Sequence, residues 1–382
     1  MKSGSSLSVL ALTAAFSWPA AAQDGLAATI AARSHFFGVG NVDQRTGAVD
    51  KEKVIISYFS VQSFAVAARG RVFLLDSYIY RVSDTPGYVP TTVQELVDLK
   101  PEAIFLGHGH GDHADNAAYI AVKTGATIFG AGEHCDAMRG DAIRIFGAGT
   151  PVSCTSLTTI GAAPGSEVSD VRFMRPDICI TAFKHLHSGP APLDPTFPVI
   201  PIGPVRDPRV ADLYPTLPPP ALDTRTMAGA GGSVSMFYQF TVGDFSFIWH
   251  DTNGPIRAFQ PQLLPLIANL PKADVQFGSL VSIGETTNGT YDIALYVQLV
   301  KPKIFFGGHA DNFNIGASPY YHRALRKQLE VFGVSPAEQP EVAGWDDPYD
   351  YITPGLATFS WKDKRWREVP SGKTAVHCSG SS

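Results

Sequence analysis

With 382 residues, of which 45% are hydrophobic and only 17% charged, the chain carries enough apolar side chain for a sizeable core and falls outside the intrinsically disordered class. Its net charge is −5, and no basic stripe is interleaved with aromatics, which argues against nucleic acid as a partner.

Lys2, an apolar stretch over 7–16 and a small-residue stretch over 17–22 follow the order of an export signal, with cleavage expected after Ala22. That apolar run of about 10 residues is short of the roughly 20 that span a bilayer. Residues 23–382 are therefore expected to form a single domain, periplasmic or secreted, with no membrane anchor after cleavage. Four cysteines allow up to two disulfides. Cys135 and Cys154 are the expected pair, because they close a short Gly-containing excursion. Cys179 reads equally well as a buried free thiol, and Cys378 as a free thiol in a polar tail.

After a Gly/Ala-containing lead-in, residues 53–60, 63–68 and 71–76 read as strands, the last ending in Asp76. A helix over 91–99 is introduced by Thr91 or Thr92. Strand 103–106, helix 117–123, strand 126–129 and helix 133–139 then alternate, which places helices outside a sheet. Short strands run from 152 to 183. The Pro-rich and then Gly-rich stretch 188–232 reads as a lid rather than an inert linker, since long loops inside compact domains usually serve a function. Strands 233–242 and 245–250 form a hairpin across Gly243-Asp244. Helix 261–270, strand 274–277, helix 293–300 and the strand that ends at His309 follow. The C-terminal extension, about 313–382, holds a helix near 322–332 and a terminal hairpin of strands 358–361 and 365–369.

Residues 104–115 place His108, His110 and His113 beside Asp112 and Asp115 in a loop that begins where an apolar strand stops. His108 and His110, two apart, can point to one side of an extended turn, while Asp112 and His113 diverge toward a second ion. Imidazole and carboxylate suit zinc, which brings the pKa of bound water to about 7. Three further strand ends carry metal-type residues: His185 and His187, Asp251, and His309. The remaining histidines His134, His250, His322 and His377 read as packing or surface groups.

These residues resemble the HxHxDH signature of the metallo-β-lactamase-fold hydrolases, matched here by His108, His110, Asp112 and His113. The likeness covers about residues 53–312, and its order of elements is most similar to the branch containing L-ascorbate-6-phosphate lactonase. It implies an α/β four-layer αβ/βα sandwich, and a structural role for Asp76 behind the ligands. His187, followed by Ser188, fits the third ligand better than His185. The implied centre holds one ion on His108, His110 and His187 and a second on Asp112, His113 and His309, with Asp251 between them. Zn2+ is the default, with Mn2+ and Fe2+ as alternatives. A metal-bridging hydroxide would attack the substrate, Asp112 would orient it or take its proton, and His185 would polarise the substrate or support a ligand.

Two departures from the pattern bear on substrate. Ser60-Val-Gln-Ser63 stands where relatives often have Gly-His-Ala-Ser, and His250 replaces the glycine of the usual Gly-Asp-Thr. In the insert, Phe197, Arg206, Arg209 and Tyr214 could line the pocket. The leading expectation is hydrolysis of an ester, lactone or related small-molecule bond. A phosphodiesterase, an iron-dependent redox member of the same fold and a non-catalytic binding protein are the alternatives.

Overall fold

The computed structural model describes residues 20–79, 91–192, 224, 226, 231–280, 288–309, 318–345 and 350–378. Helix α1 (Ala20–Phe37) leads into β1 (Lys53–Ser60), β2 (Ser63–Ala68) and β3 (Arg71–Leu75). Next come α2 (Val93–Asp98), β4 (Ala103–Phe105), α3 (Gly111–Ala114), α4 (Ala117–Thr124), β5 (Thr127–Ala131), α5 (Gly132–Phe146) and β6 (Cys154–Thr158). The chain continues through β7 (Val168–Val171), β8 (Cys179–Leu186), β9 (Val234–Val242) and β10 (Phe245–His250). It then forms α6 (Ile256–Phe259), α7 (Leu263–Ala268), β11 (Val275–Ser279), α8 (Tyr291–Val300), β12 (Ile304–Gly308), α9 (Ser318–Val331), β13 (Glu341–Gly344) and β14 (Thr358–Ser360).

The strands build two seven-stranded mixed sheets, ordered β14-β1-β2-β3-β4-β5-β6 and β13-β12-β11-β10-β9-β8-β7. Pairing is parallel from β3 to β6 and from β10 to β13, and antiparallel elsewhere. Side chains alternate across a strand, so Val54, Ile56 and Tyr58 of β1 point between the sheets while Ile55 and Phe59 point under the helices. Burial on both faces explains why the strands read as continuous apolar runs. Tyr238, Phe240, Phe247, Trp249, Phe277 and Phe306 fill the space between the sheets, each contributing about 1.5–3 kcal/mol of burial. The expected αβ/βα sandwich is therefore the observed fold.

Several local expectations change. The lead-in is helix α1; its apolar residues are spread around the helix with no stripe to signal it, and Phe36 and Phe37 anchor it against β1. Helix α5 continues through Gly140 to Phe146: Ala142 extends the buried face of Cys135 and Met138, and that packing offsets the roughly 1 kcal/mol cost of one helical glycine. The terminal hairpin does not form. Instead β14 pairs with β1, and Lys364–Arg367 is a 3-10 helix that buries Trp366 against Phe245 and Phe359. Strand β13 adds an unexpected parallel edge to β12. Residues 1–19 of the proposed export signal lie outside the described residues, and the expected cleavage point falls in the first turn of α1. Among the described residues no helix is long and apolar enough to cross a membrane.

Cys135 and Cys154 form the expected disulfide. Cys179 and Cys378 are not free thiols: they form a second bridge, because the tail returns to the β9–β10 turn, where Cys378 pairs with Gly243 and its Cα comes within 5.6 Å of that of Cys179. This bridge spans 199 residues of sequence and so restricts the unfolded chain strongly. The double variant Cys179→Ala/Cys378→Ala is expected to lose about 2–5 kcal/mol of stability. Denaturant unfolding under oxidising conditions measures this, and an unchanged midpoint would contradict it.

Candidate metal centre

The loops after β4, β8, β10 and β12 deliver their side chains to one edge of the sandwich. His108 and His110 follow β4, α3 holds Asp112 and His113, and His187, Asp251 and His309 each stand one residue past a strand end. Gly107 is required here: a Cβ at that position would lie 2.0 Å from Asp251 Oδ2, so only glycine lets the carboxylate approach the backbone.

His108, His110 and His187 form an even triangle, with every pair of ring centroids 4.7 Å apart. His108 Nε2 lies 3.0 Å from His110 Nδ1 and 3.3 Å from His187 Nε2. Across the site His113 Nε2 and His309 Nε2 are 3.0 Å apart, each 3.7 Å from Asp112 Oδ2. Asp112 keeps 19% of its side chain exposed, whereas His113 is fully buried.

Hydrogen bonds on the far side of the rings select the tautomers. His108 Nδ1 donates to Asp251 Oδ2 at 2.6 Å, and His187 Nδ1 donates to the Ser188 carbonyl at 2.8 Å. His113 Nδ1 is shared between Asp76 Oδ2 at 2.8 Å and Asp251 Oδ2 at 3.2 Å. With those protons in place, the Nε2 lone pairs of these three rings point into the site. Lone pairs facing each other near 3 Å repel unless a cation lies between them. Tetrahedral zinc, with Zn–N bonds of about 2.0–2.1 Å, holds its nitrogens about 3.3 Å apart, so the residues present fit such an ion.

The electrostatics agree. Burial lowers the pKa values of His108, His110 and His187, keeping them neutral and able to ligate. Burial also opposes a charged His113, but the carboxylates of Asp112, Asp251 and Asp76 hold it well above the usual histidine range. Asp112 feels the same burial, yet the surrounding imidazoles bring it down to about 2. A positive charge is therefore favoured between Asp112 and its histidines.

One expected site residue sits differently from what the resemblance implies. Asp251 sets Oδ2 against the Nδ1 atoms of both His108 and His113, while its Oδ1 is buried with no hydrogen-bond partner among the described residues. His185 lies outside both triads. It is buried, neither facing solvent nor joining the ligands, with Nδ1 3.1 Å from Tyr296 Oη and its ring against Phe237 and His250. Its pKa is lowered by burial to about 3, so it is neutral. Asp76 takes the supporting place expected of it, accepting from Gly107 N at 2.8 Å as well as from His113. His134 and His322 are packing histidines and His377 is exposed, as the sequence reading has them, whereas His250 is fully buried with both ring nitrogens hydrogen-bonded. Phe197, Arg206, Arg209 and Tyr214 lie outside the described residues.

Sequence reasoning missed how the returning limb of the insert grips the metal loop. Asn116 N donates to the Thr224 carbonyl at 3.0 Å, Thr226 N donates to Asp115 Oδ1 at 2.8 Å, and Gly109 N reaches the Gly232 carbonyl at 3.2 Å. Gly232 also abuts the His110 ring, where a Cβ would lie 2.8 Å from Cδ2. Only the proximity of Asp115 and Asn116 to the histidines hinted at this, since the partner residues are 100 positions or more away in sequence.

No family model matches the chain. A UPF0173 metal-dependent hydrolase of Bacillus cereus is 32% identical over 73 residues, so the match spans 19% of this chain and 29% of that protein's length. Among solved structures, a metallo hydrolase from the hyperthermophilic archaeon Ignicoccus hospitalis aligns at 16% identity with a TM-score of 0.48, over 80% of this chain and 98% of its own. The metallo-β-lactamase fold protein YhfI from Bacillus subtilis aligns at 10% identity with a TM-score of 0.42, over 81% and 99%. Two face-to-face mixed sheets with helices outside, and histidine triads gathered at one edge, make this an α/β protein of the metallo-β-lactamase-type fold.

His110→Ala removes a ligand of one triad only and is expected to leave one bound ion. Asp251→Asn loosens a histidine in each triad and is expected to weaken both ions by about 10–100-fold. Equilibrium dialysis against graded chelator, followed by metal analysis, measures both; a selective effect of Asp251→Asn would contradict its shared role.

Proposed function

We propose that the chain is an exported, dinuclear metal-dependent hydrolase of the metallo-β-lactamase superfamily, acting on an ester, lactone or related bond of a small molecule. The observation that carries this reading is the pair of opposed donor sets, His108/His110/His187 and Asp112/His113/His309, at one edge of the fold. These residues would hold two ions, zinc by preference, with Mn2+ or Fe2+ as the other candidates. Zinc in such a centre acidifies water and polarises the oxygen that gains charge during attack. The protein's own part is positional. Nδ1 hydrogen bonds keep His108, His113 and His187 turned to ligate, and Asp112 orients the attacking water and takes its proton. His185, in its apolar surroundings, acts on the site only by packing.

The ester or lactone preference rests on the likeness to the L-ascorbate-6-phosphate lactonase branch, and the substrate is chosen by the insert over 188–232. Two disulfides support an oxidising compartment. The disulfides and the order of residues 1–22 together favour a periplasmic or secreted enzyme.

Purified protein loaded with Zn2+ or Mn2+ is expected to hydrolyse members of an ester and lactone panel. Chelation and Asp112→Ala should each lower the rate by at least about 100-fold, in line with loss of a general base. A response to phosphodiesters alone would overturn the substrate class, and stoichiometric iron with redox turnover would overturn the hydrolase. N-terminal sequencing of the protein recovered from its host is expected to begin at Gln23; an intact Met1 would contradict export.

A further inference from the structure

The position before Asp251 holds a histidine, and its surroundings are built around that ring. His250, the last residue of β10, stacks on Phe237 with planes 7° apart and centroids at 5.2 Å, and on Tyr296 at 5.0 Å. Gly278, its neighbour on β11, leaves room for it: a Cβ there would lie 3.0 Å from His250 Cε1. Both ring nitrogens are engaged. Gln276 Nε2 donates to His250 Nε2 at 2.8 Å, and His250 Nδ1 donates to the Thr252 carbonyl at 3.0 Å.

From Thr252 the connections continue to the metal centre. Thr252 Oγ1 accepts from Ser188 N at 3.0 Å, and the Ser188 carbonyl accepts from His187 Nδ1 at 2.8 Å. His187 Nε2 then faces His108 Nε2 at 3.3 Å. His187 is the one ligand of its triad that arrives from the second sheet, on the far side of the site from His108 and His110. Its orienting acceptor is no carboxylate but a backbone carbonyl in a loop, and such an acceptor is only as fixed as the loop itself. The Thr252 hydroxyl joins that loop to the β10 end, and the His250 ring sets the turn that carries Thr252.

We propose that His250 is a positioning residue for His187, acting through Thr252 and Ser188 to hold the His187 ring in its ligating tautomer. The consequence for metal binding rests on the two-ion reading above; the link between the two rings does not. His250 touches neither ion nor substrate, and because the turn it sets also carries Asp251, its effect on metal binding reaches His108 and His113 as well as His187.

The test uses the full-length protein with two variants, His250→Phe and His250→Asn. Phenylalanine keeps the stack on Phe237 and Tyr296 but cannot donate to Thr252, whereas asparagine restores a donor near the Nδ1 position. In the metal-free protein, nitrogen NMR is expected to show His187 protonated on Nδ1 in the parent and in His250→Asn, and mixed tautomers in His250→Phe. Ser188 amide exchange should be at least about tenfold faster in His250→Phe alone. In a Co2+ titration followed by its visible spectrum, His250→Phe is expected to lose about 10–100-fold in affinity, with His250→Asn close to the parent. An unchanged His187 tautomer and Ser188 exchange in folded His250→Phe would overturn the proposal, as would no recovery in His250→Asn. A parent protein that binds no cobalt while the tautomer and exchange effects appear would instead refute the two-ion reading and leave the link from His250 to His187 standing.

Discussion

A fully buried carboxylate must be paired, and at Asp251 this requirement organises the whole site. Its Oδ2 atom accepts from His108 and from His113, so one anion orients a histidine in each of the two donor sets. The anion in turn needs a close approach to backbone, which Gly107 permits, and a strand end to carry it, which β10 supplies. Burial would push Asp251 toward protonation, but the two imidazoles hold it well below the usual carboxylate range. Asp76, facing it across His113, is pushed the other way by burial and by the Asp251 charge. The result is a floor of two carboxylates and shared protons beneath rings whose free nitrogens converge above it.

That floor exists because two sheets meet face to face. β3 and β4 bring Asp76 and the histidine loop from the first sheet, while β8, β10 and β12 bring His187, Asp251 and His309 from the second. Between them the packed aromatics make a rigid spacer, so the distance between the two sets of ligands is set by side-chain volume rather than by loops. The same layering explains the second disulfide and the buried Trp366: the C-terminal stretch returns across the sheets instead of hanging free.

Much of this was legible along the chain because the signals are local. Apolar runs marked β1, β2 and β9, and Thr92 does cap α2 by accepting from Glu95 N. The crowded histidines after β4 marked a metal loop, since packing alone gives no reason to bring three imidazoles beside two acids. Less was legible where a feature depends on a distant partner. Helix α1 has no stripe, β13 is a short edge defined by β12, and residues 365–369 lack any strand to pair with once Trp366 is drawn into the core.

The sequence by itself determined the identity of the donors and their order at strand ends, because ligand chemistry resides in residue type and the period of a strand is local. Tertiary structure alone decided their roles. His185 and His187 differ by two positions, yet one lies against Phe237 and Tyr296 and the other joins the triad, because β8 ends at Leu186 and the chain turns there. Asp251 meets His108 and His113, and His250 meets Gln276, only in the folded chain, because these partners lie more than 20 residues away in sequence.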